Sequence, residues 1–244
     1  MKTLDFMIIG AQKSGTSALA TFCAEHPEIC MAHPQEPHVF DAEDFSERTI
    51  DANYLPFFEH HDGERLLGEL TPIYLYWPEI AERLHRYNPN LKLLILLRDP
   101  VDRAISQYAM SLHRNLEGKP LLLALLLESS RLRKHRNYQG KDSSLRNHSY
   151  MDRGNYSGQL KNLFRWYSKE QVMILSSEQL MHHHSDTLRK VFEFLEVEEG
   201  VKIQRQLVFQ SKGYKPDQLV LFILRLVFWR QRKKFQGVLK QYQA

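Results

Sequence analysis

The chain has 244 residues, 43% of them apolar and 25% charged, which excludes a disordered or fibrous chain and leaves ample sequence for a core. Lys and Arg exceed Asp and Glu by four, a mild excess that favours anionic ligands without demanding a nucleic-acid partner, and only two cysteines, Cys23 and Cys30, exclude a disulfide framework. The longest apolar run, Leu219 to Trp229, is interrupted by Arg225 and falls short of the roughly 20 residues of a membrane span, so no span is expected and the location is read as cytoplasmic.

Leu4 to Ile9 is a short apolar run closed by Gly10, the pattern of a buried strand, and Thr16 to Glu25 sets Leu19, Phe22 and Cys23 on one helical face before Pro27. Ile29 to Met31 reads as a second strand. His33 to Asp41 must be loop, because Pro34 and Pro37 cannot both join a ladder, and a polar irregular stretch follows to about Gly63. Leu66 to Leu70 reads as a strand, Pro78 to Tyr87 as a helix with Pro at its start, and Leu91 to Leu97 as a central parallel strand. Asp99 before Pro100 predicts a capped helix to about His113 that buries Ala104, Ile105, Tyr108 and Leu112. Further helices are expected at Leu121 to Leu132, Tyr156 to Tyr167 and Asp186 to Leu195, with a strand at Val172 to Leu175. Alternating strands and helices predict one α/β domain over residues 1–244, a central parallel sheet with helices on both faces. The part after Gln204 is expected to be mainly helical and basic. Two basic stretches, Arg131 to Arg146 and Arg225 to Lys240, suit an acidic acceptor, a membrane surface or plain solvent.

Gly10-Ala11-Gln12-Lys13-Ser14-Gly15-Thr16-Ser17 lies where a strand ends and a helix begins, a place where free N–H groups and the helix dipole attract phosphate. A nucleotide-hydrolysing loop needs Lys directly after its second Gly; here Thr16 holds that slot and Lys13 lies two residues before Gly15. At the end of the strongest strand, Arg98 offers a fixed fork of donors, and Ser106 lies about two helical turns farther on.

Lys13-Ser14-Gly15-Thr16-Ser17 resembles the 5'-phosphosulfate loop of sulfotransferases that use 3'-phosphoadenosine 5'-phosphosulfate (PAPS), especially the branch of heparan sulfate sulfotransferases and their bacterial relatives. Arg98 with Ser106 is similar to the family's 3'-phosphate motif, and Gln35-Glu36-Pro37-His38-Val39-Phe40-Asp41 to its Lys-Glu-Pro-His-Phe-Phe-Asp segment. Glu69-Leu70-Thr71-Pro72-Ile73-Tyr74, Arg153-Gly154-Asn155-Tyr156 with Gln159-Leu160, and Lys212-Gly213-Tyr214-Lys215-Pro216 match three more of its segments. Gln35 and Leu70 stand where that branch usually carries Lys, which bears on acceptor recognition.

The resemblance implies a P-loop-like donor site and transfer of a sulfuryl group from PAPS to a hydroxyl or amine, on a glycan or small metabolite, by in-line displacement. It assigns Glu36 as base, Lys13 to the leaving phosphate and His38 to orienting. Donor contacts fall to Lys13, Ser14, Gly15, Thr16, Ser17, Arg98, Ser106, Tyr156, Lys212, Gly213, Tyr214 and Lys215. A sulfate ester carries less charge than a terminal phosphate, so no metal is expected, and His182-His183-His184 are adjacent residues that point different ways. The alternatives are an NTP-dependent kinase or hydrolase using Asp99, and a binder of nucleotide or anionic glycan without turnover.

Overall fold

The computed structural model describes residues 3–135, 140, 142–206 and 214–242, so Lys212 and Gly213 lie outside the described residues. In chain order the regular elements are β1 (Phe6–Gly10), α1 (Thr16–Ala24), β2 (Ile29–Met31), α2 (Ile50–Tyr54), β3 (Leu66–Leu70), α3 (Ile80–Tyr87), β4 (Lys92–Leu97), α4 (Pro100–His113) and α5 (Leu121–Lys134). They continue with α6 (Ser144–Asn147), α7 (Tyr156–Leu163), β5 (Val172–Ser176), α8 (Ser177–His182), α9 (His184–Leu195), α10 (Gln218–Val227) and α11 (Trp229–Tyr242). The chain forms two compact units, one drawn from residues 1–97, 159–209 and 242–244, the other from 98–158 and 210–241.

The first unit holds a five-stranded parallel sheet in the order β2-β3-β1-β4-β5. Central β1 is buried along its whole length, with Ile8 in register with Leu70 of β3 and Leu94 of β4. Burial on both faces is why β1 and β4 are nearly unbroken apolar runs rather than alternating ones. On one face Phe6, Ile8, Leu94, Leu96 and Leu175 pack with Leu19 and Phe22 of α1 and with Leu188, Val191 and Phe192 of α9. On the other, Ile9 and Leu75 line one small cavity with Ile80 and Leu84 of α3 and Leu163 of α7. Because the strands are parallel, every carboxyl end lies at one edge, where ligands of open α/β sheets bind.

Several boundaries differ from the sequence reading. The stretch before Gly63, expected to be irregular, contains α2 between two short 3₁₀ turns. Ile50 and Tyr54 of α2 and Phe58 just after it, spaced four apart, are buried, a stripe obscured by exposed Leu55 and by Pro56 between them. The helix expected from Pro78 begins at Ile80, since a turn bond from Ile80 N–H to the Trp77 carbonyl occupies the intervening residues. The one expected to reach Tyr167 stops at Leu163, where Arg165 and Trp166 donate to carbonyls three residues back and tighten the chain. α5 runs on to Lys134, and α9 starts at His184, not Asp186.

In the second unit Asp99 caps α4, its carboxylate accepting from Val101 N–H at 2.9 Å, with Pro100 at the first helical position. Val101, Ala104 and Tyr108 pack against Leu121 and Leu125 of α5 and against Leu224 and Phe228. Ile105 and Leu112, expected to be buried, are only half-buried. Buried Arg103 instead takes part of the inner face, donating to Gln107 Oε1 at 2.8 Å and to the Tyr150 carbonyl. Buried Glu128 accepts from the N–H groups of Met151 and Asp152, which explains how a carboxylate is tolerated there.

Candidate active site

The loop from Ala11 to Gly15 leaves the carboxyl end of β1 and delivers the chain into α1. Gly10 ends the strand where a Cβ would meet Leu75 Cβ at 2.7 Å, so no larger residue fits without moving β1 or its neighbour. Gly15 sits before α1 with φ at +93°, a conformation that disfavours a side chain. No side chain caps α1, so its first-turn N–H groups and dipole remain directed at whatever lies in the loop. Ser14 and Thr16 are buried, and Ser14 Oγ has no hydrogen-bond partner among the described residues. A buried hydroxyl donor beside an uncapped helix start is what an anionic group would complete, so the loop fits a phosphosulfate.

Ser177, which the sequence reading missed, ties this loop to the neighbouring strand end. Its hydroxyl lies 2.6 Å from the Ser14 carbonyl and 3.2 Å from that of Leu97. The available signal was the capping box of Ser176 and Gln179, which marks a helix starting at the carboxyl end of β5 and hence at the same sheet edge.

Glu36 and His38 lie in the loop that follows β2, the edge strand beside β3. Glu36 N–H donates to the Leu70 carbonyl at 2.9 Å, fixing the loop to the carboxyl end of β3, the neighbour of β1. Phe40 N–H donates to Tyr74 Oη at 3.1 Å, and Arg83 donates to the Phe40 carbonyl at 2.6 Å. Between these anchors His38 Nδ1 lies 3.0 Å from Asp41 Oδ1, and Nε2 lies 3.5 Å from Glu36 Oε2. The Asp41 carboxylate is fully buried, whereas His38 and Glu36 are partly open to solvent. Burial pulls the imidazole pKa down, but hydrogen bonding and charge from Asp41 and Glu36 outweigh it and raise it to about 9. His38 is therefore an imidazolium at neutral pH, held beside the Glu36 carboxylate.

Lys13, Glu36 and His38 all have positive φ, at 72°, 62° and 57°. Each such residue costs about 1–3 kcal/mol, a strain that tends to collect at functional sites. Near His38 and Asp41, Glu69 of β3 is wholly buried, and burial lifts its pKa to about 8 although Tyr54 Oη donates to it at 2.8 Å. Leu70 is buried in the core, so that position adds no charge to the site.

Ser17 lies in the first turn of α1, while Arg98, Ser106, Tyr156, Tyr214 and Lys215 belong to the second unit. Arg98, Ser106, Tyr214 and Lys215 line one cavity of about 390 Å³, together with Asp102 and Gln218. Asp99 is engaged elsewhere, accepting from Val101 N–H and from Arg232 Nε at 2.7 Å. Tyr156 is buried, and its hydroxyl donates to the Arg98 carbonyl at 2.9 Å, which makes it a brace for Arg98. Tyr214 meets Tyr108 edge-on at 5.0 Å between ring centres. A guanidinium, a hydroxyl and an ammonium around one concavity fit a phosphate.

The family model for the sulfotransferase domain matches residues 3–219. Over 111 residues the chain is 37% identical to the membrane-associated sulfotransferase kil1 of Dictyostelium discoideum, a match covering 44% of this chain and 23% of that protein. It is 28% identical over 211 residues to heparan sulfate glucosamine 3-O-sulfotransferase 6 of Mus musculus, covering 85% of this chain and 56% of that one. The crystal structure of a sulfotransferase from Alicyclobacillus acidocaldarius superposes with a TM-score of 0.79 at 26% identity, covering 98% of this chain and 97% of the other. The chain thus spans about half the length of the heparan sulfate relative and less than a quarter of the kil1 protein.

Proposed function

The chain belongs to the sulfotransferase family, and from that premise we propose that it moves a sulfuryl group from PAPS to a hydroxyl or amine acceptor. PAPS supplies the activated sulfuryl group when bound; the chain's own residues do the rest. Lys13, the α1 N–H groups and the Ser14, Thr16 and Ser17 hydroxyls hold the 5'-phosphate, and Lys13 neutralises the charge that gathers on its bridging oxygen as the S–O bond breaks. Glu36 takes the acceptor proton as the new bond to sulfur forms. His38, fixed as a cation by Asp41, orients Glu36. Arg98, Ser106 and Lys215 hold the 3'-phosphate.

The observation that carries this reading is the Glu36–His38–Asp41 relay, set at the same sheet edge as an anion loop whose Lys is displaced from the position nucleotide hydrolysis needs. The heparan sulfate relative favours a sugar hydroxyl, while Gln35 and Leu70 remove two cations and so suit an acceptor of lower negative charge, a lightly charged glycan or a small metabolite. The test is a thermal-shift comparison. Adenosine 3',5'-bisphosphate should raise the melting temperature without Mg²⁺, and ATP with Mg²⁺ should not. The reverse result would replace this reading with nucleotide hydrolysis. A screen of sugar and small-molecule acceptors with labelled donor then identifies the class.

A further inference from the structure

Helices α10 and α11 carry a surface that sulfuryl transfer does not use. Gln218 and Leu221 of α10 line the Arg98 cavity, while Leu224 and Phe228 enter the core of the second unit. The other side is apolar as well. Leu219, Phe222, Leu226 and Trp229 are 70%, 60%, 61% and 59% exposed. Their spacing of three, four and three residues forms one stripe along a helix. Phe228 N–H donates to the Leu224 carbonyl and Arg232 N–H to that of Phe228, so helical bonding runs across the junction and the stripe continues onto Trp229.

Charge selects what covers this stripe. Residues 218–242 contain Arg225, Arg230, Arg232, Lys233, Lys234 and Lys240 and no Asp or Glu. Arg232 is paired with Asp99, and Lys233 Nζ lies 5.7 Å from the Trp229 ring centre, a cation at the border of the apolar stripe. A second copy of the chain docked through the same face would set these cations against their own symmetry mates with no carboxylate between them. An anionic lipid surface satisfies both features at once, with acyl chains for Leu, Phe and Trp and headgroups for Lys and Arg. No helix among the described residues is long and apolar enough to cross a membrane, so the fitting geometry lies on the surface.

We propose that the α10–α11 ridge docks on anionic membranes, with Leu219, Phe222, Leu226 and Trp229 entering the headgroup–acyl boundary. This holds whatever the acceptor is. The test is flotation of the full chain with vesicles of phosphatidylcholine alone or with about 30% phosphatidylserine. The chain should float with the anionic vesicles, and about 0.5 M salt should weaken the binding. A Phe222→Ser/Leu226→Ser pair and an Arg230→Glu/Lys233→Glu pair should each lower the bound fraction about tenfold or more, with the melting temperature unchanged. The proposal is overturned if the chain floats with neither vesicle, if both double variants float like the parent, or if sedimentation reveals a dimer that Phe222→Ser/Leu226→Ser dissolves while vesicles stay bare.

Discussion

The two regions proposed to hold the anionic ends of the donor are built in opposite ways. The β1–α1 loop is made of backbone, pinned to a sheet edge by Gly10, Gly15 and Ser177, and accompanied by residues held at positive φ. The Arg98 cavity is made of side chains, and part of its wall, Tyr214 and Lys215, is exposed chain outside any helix. Reacting atoms tolerate little misplacement, whereas a remote phosphate needs only a firm grip. Substitutions in the first region should therefore lower kcat, and those in the second should weaken donor binding.

The largest effect that would sharpen this division is expected at Glu36. Glu36→Gln keeps the shape of the side chain and its backbone bond to Leu70 but removes the base, so kcat should fall about 10²- to 10⁴-fold. Affinity for adenosine 3',5'-bisphosphate, measured by calorimetry, should stay within error. Full transfer activity in this variant would remove Glu36 from the chemistry. Arg98→Ala comes next: losing a charged donor of about 1.5–3 kcal/mol should weaken bisphosphate binding about 10- to 100-fold. kcat at saturating donor should change much less, and a fall in kcat with binding intact would erase the division.

Most of what these two predictions need was legible in the sequence, because it is encoded locally. Strand, glycine-bearing loop and helix start follow one another within residues 6–24, and Asp99-Pro100 announces α4 directly after Arg98. Contacts made by distant segments left no local mark. Ser177 reaches Ser14 across 163 residues and Tyr156 meets Arg98 across 58; the capping box of Ser176 and Gln179 marks a helix start but not the partner it reaches, and nothing beside Tyr156 points to Arg98. α2 was hidden for a different reason, being only five residues long and followed at once by Pro56. The exposed stripe on α10 stood in the sequence only as the apolar run Leu219 to Trp229, since apolar periodicity does not say which face is covered.

A smaller effect should test how the relay is poised. His38 has its pKa raised to about 9, so the stability it contributes is full below about 6.5 and is lost as pH rises through about 9. Asp41→Asn removes the stronger partner and should draw the imidazole pKa back towards the ordinary value, readable by NMR titration. Glu69, raised to about 8, also sheds stability as pH rises, because its folded form holds its proton more tightly than the unfolded chain does. The comparison is therefore best made between Asp41→Asn and its parent in a Glu69→Gln background, because Glu128, raised to about 7, and Cys30, raised to about 11, shed stability equally in both. An unchanged His38 titration in Asp41→Asn would mean that Glu36 alone holds the cation.

The smallest effect separates a brace from a ligand contact. Tyr156→Phe keeps the ring against Phe235, 5.8 Å between centres, and removes only the hydroxyl that donates to the Arg98 carbonyl. A neutral hydrogen bond contributes about 0.5–1.5 kcal/mol, so bisphosphate affinity should fall about two- to tenfold. kcat at saturating donor should be unchanged, because the hydroxyl acts on Arg98, to which the proposed function gives only the 3'-phosphate. A drop in kcat approaching that of Glu36→Gln would instead put Tyr156 at the reacting atoms, and the contrast between a fixed reacting end and an adjustable grip would no longer describe the molecule.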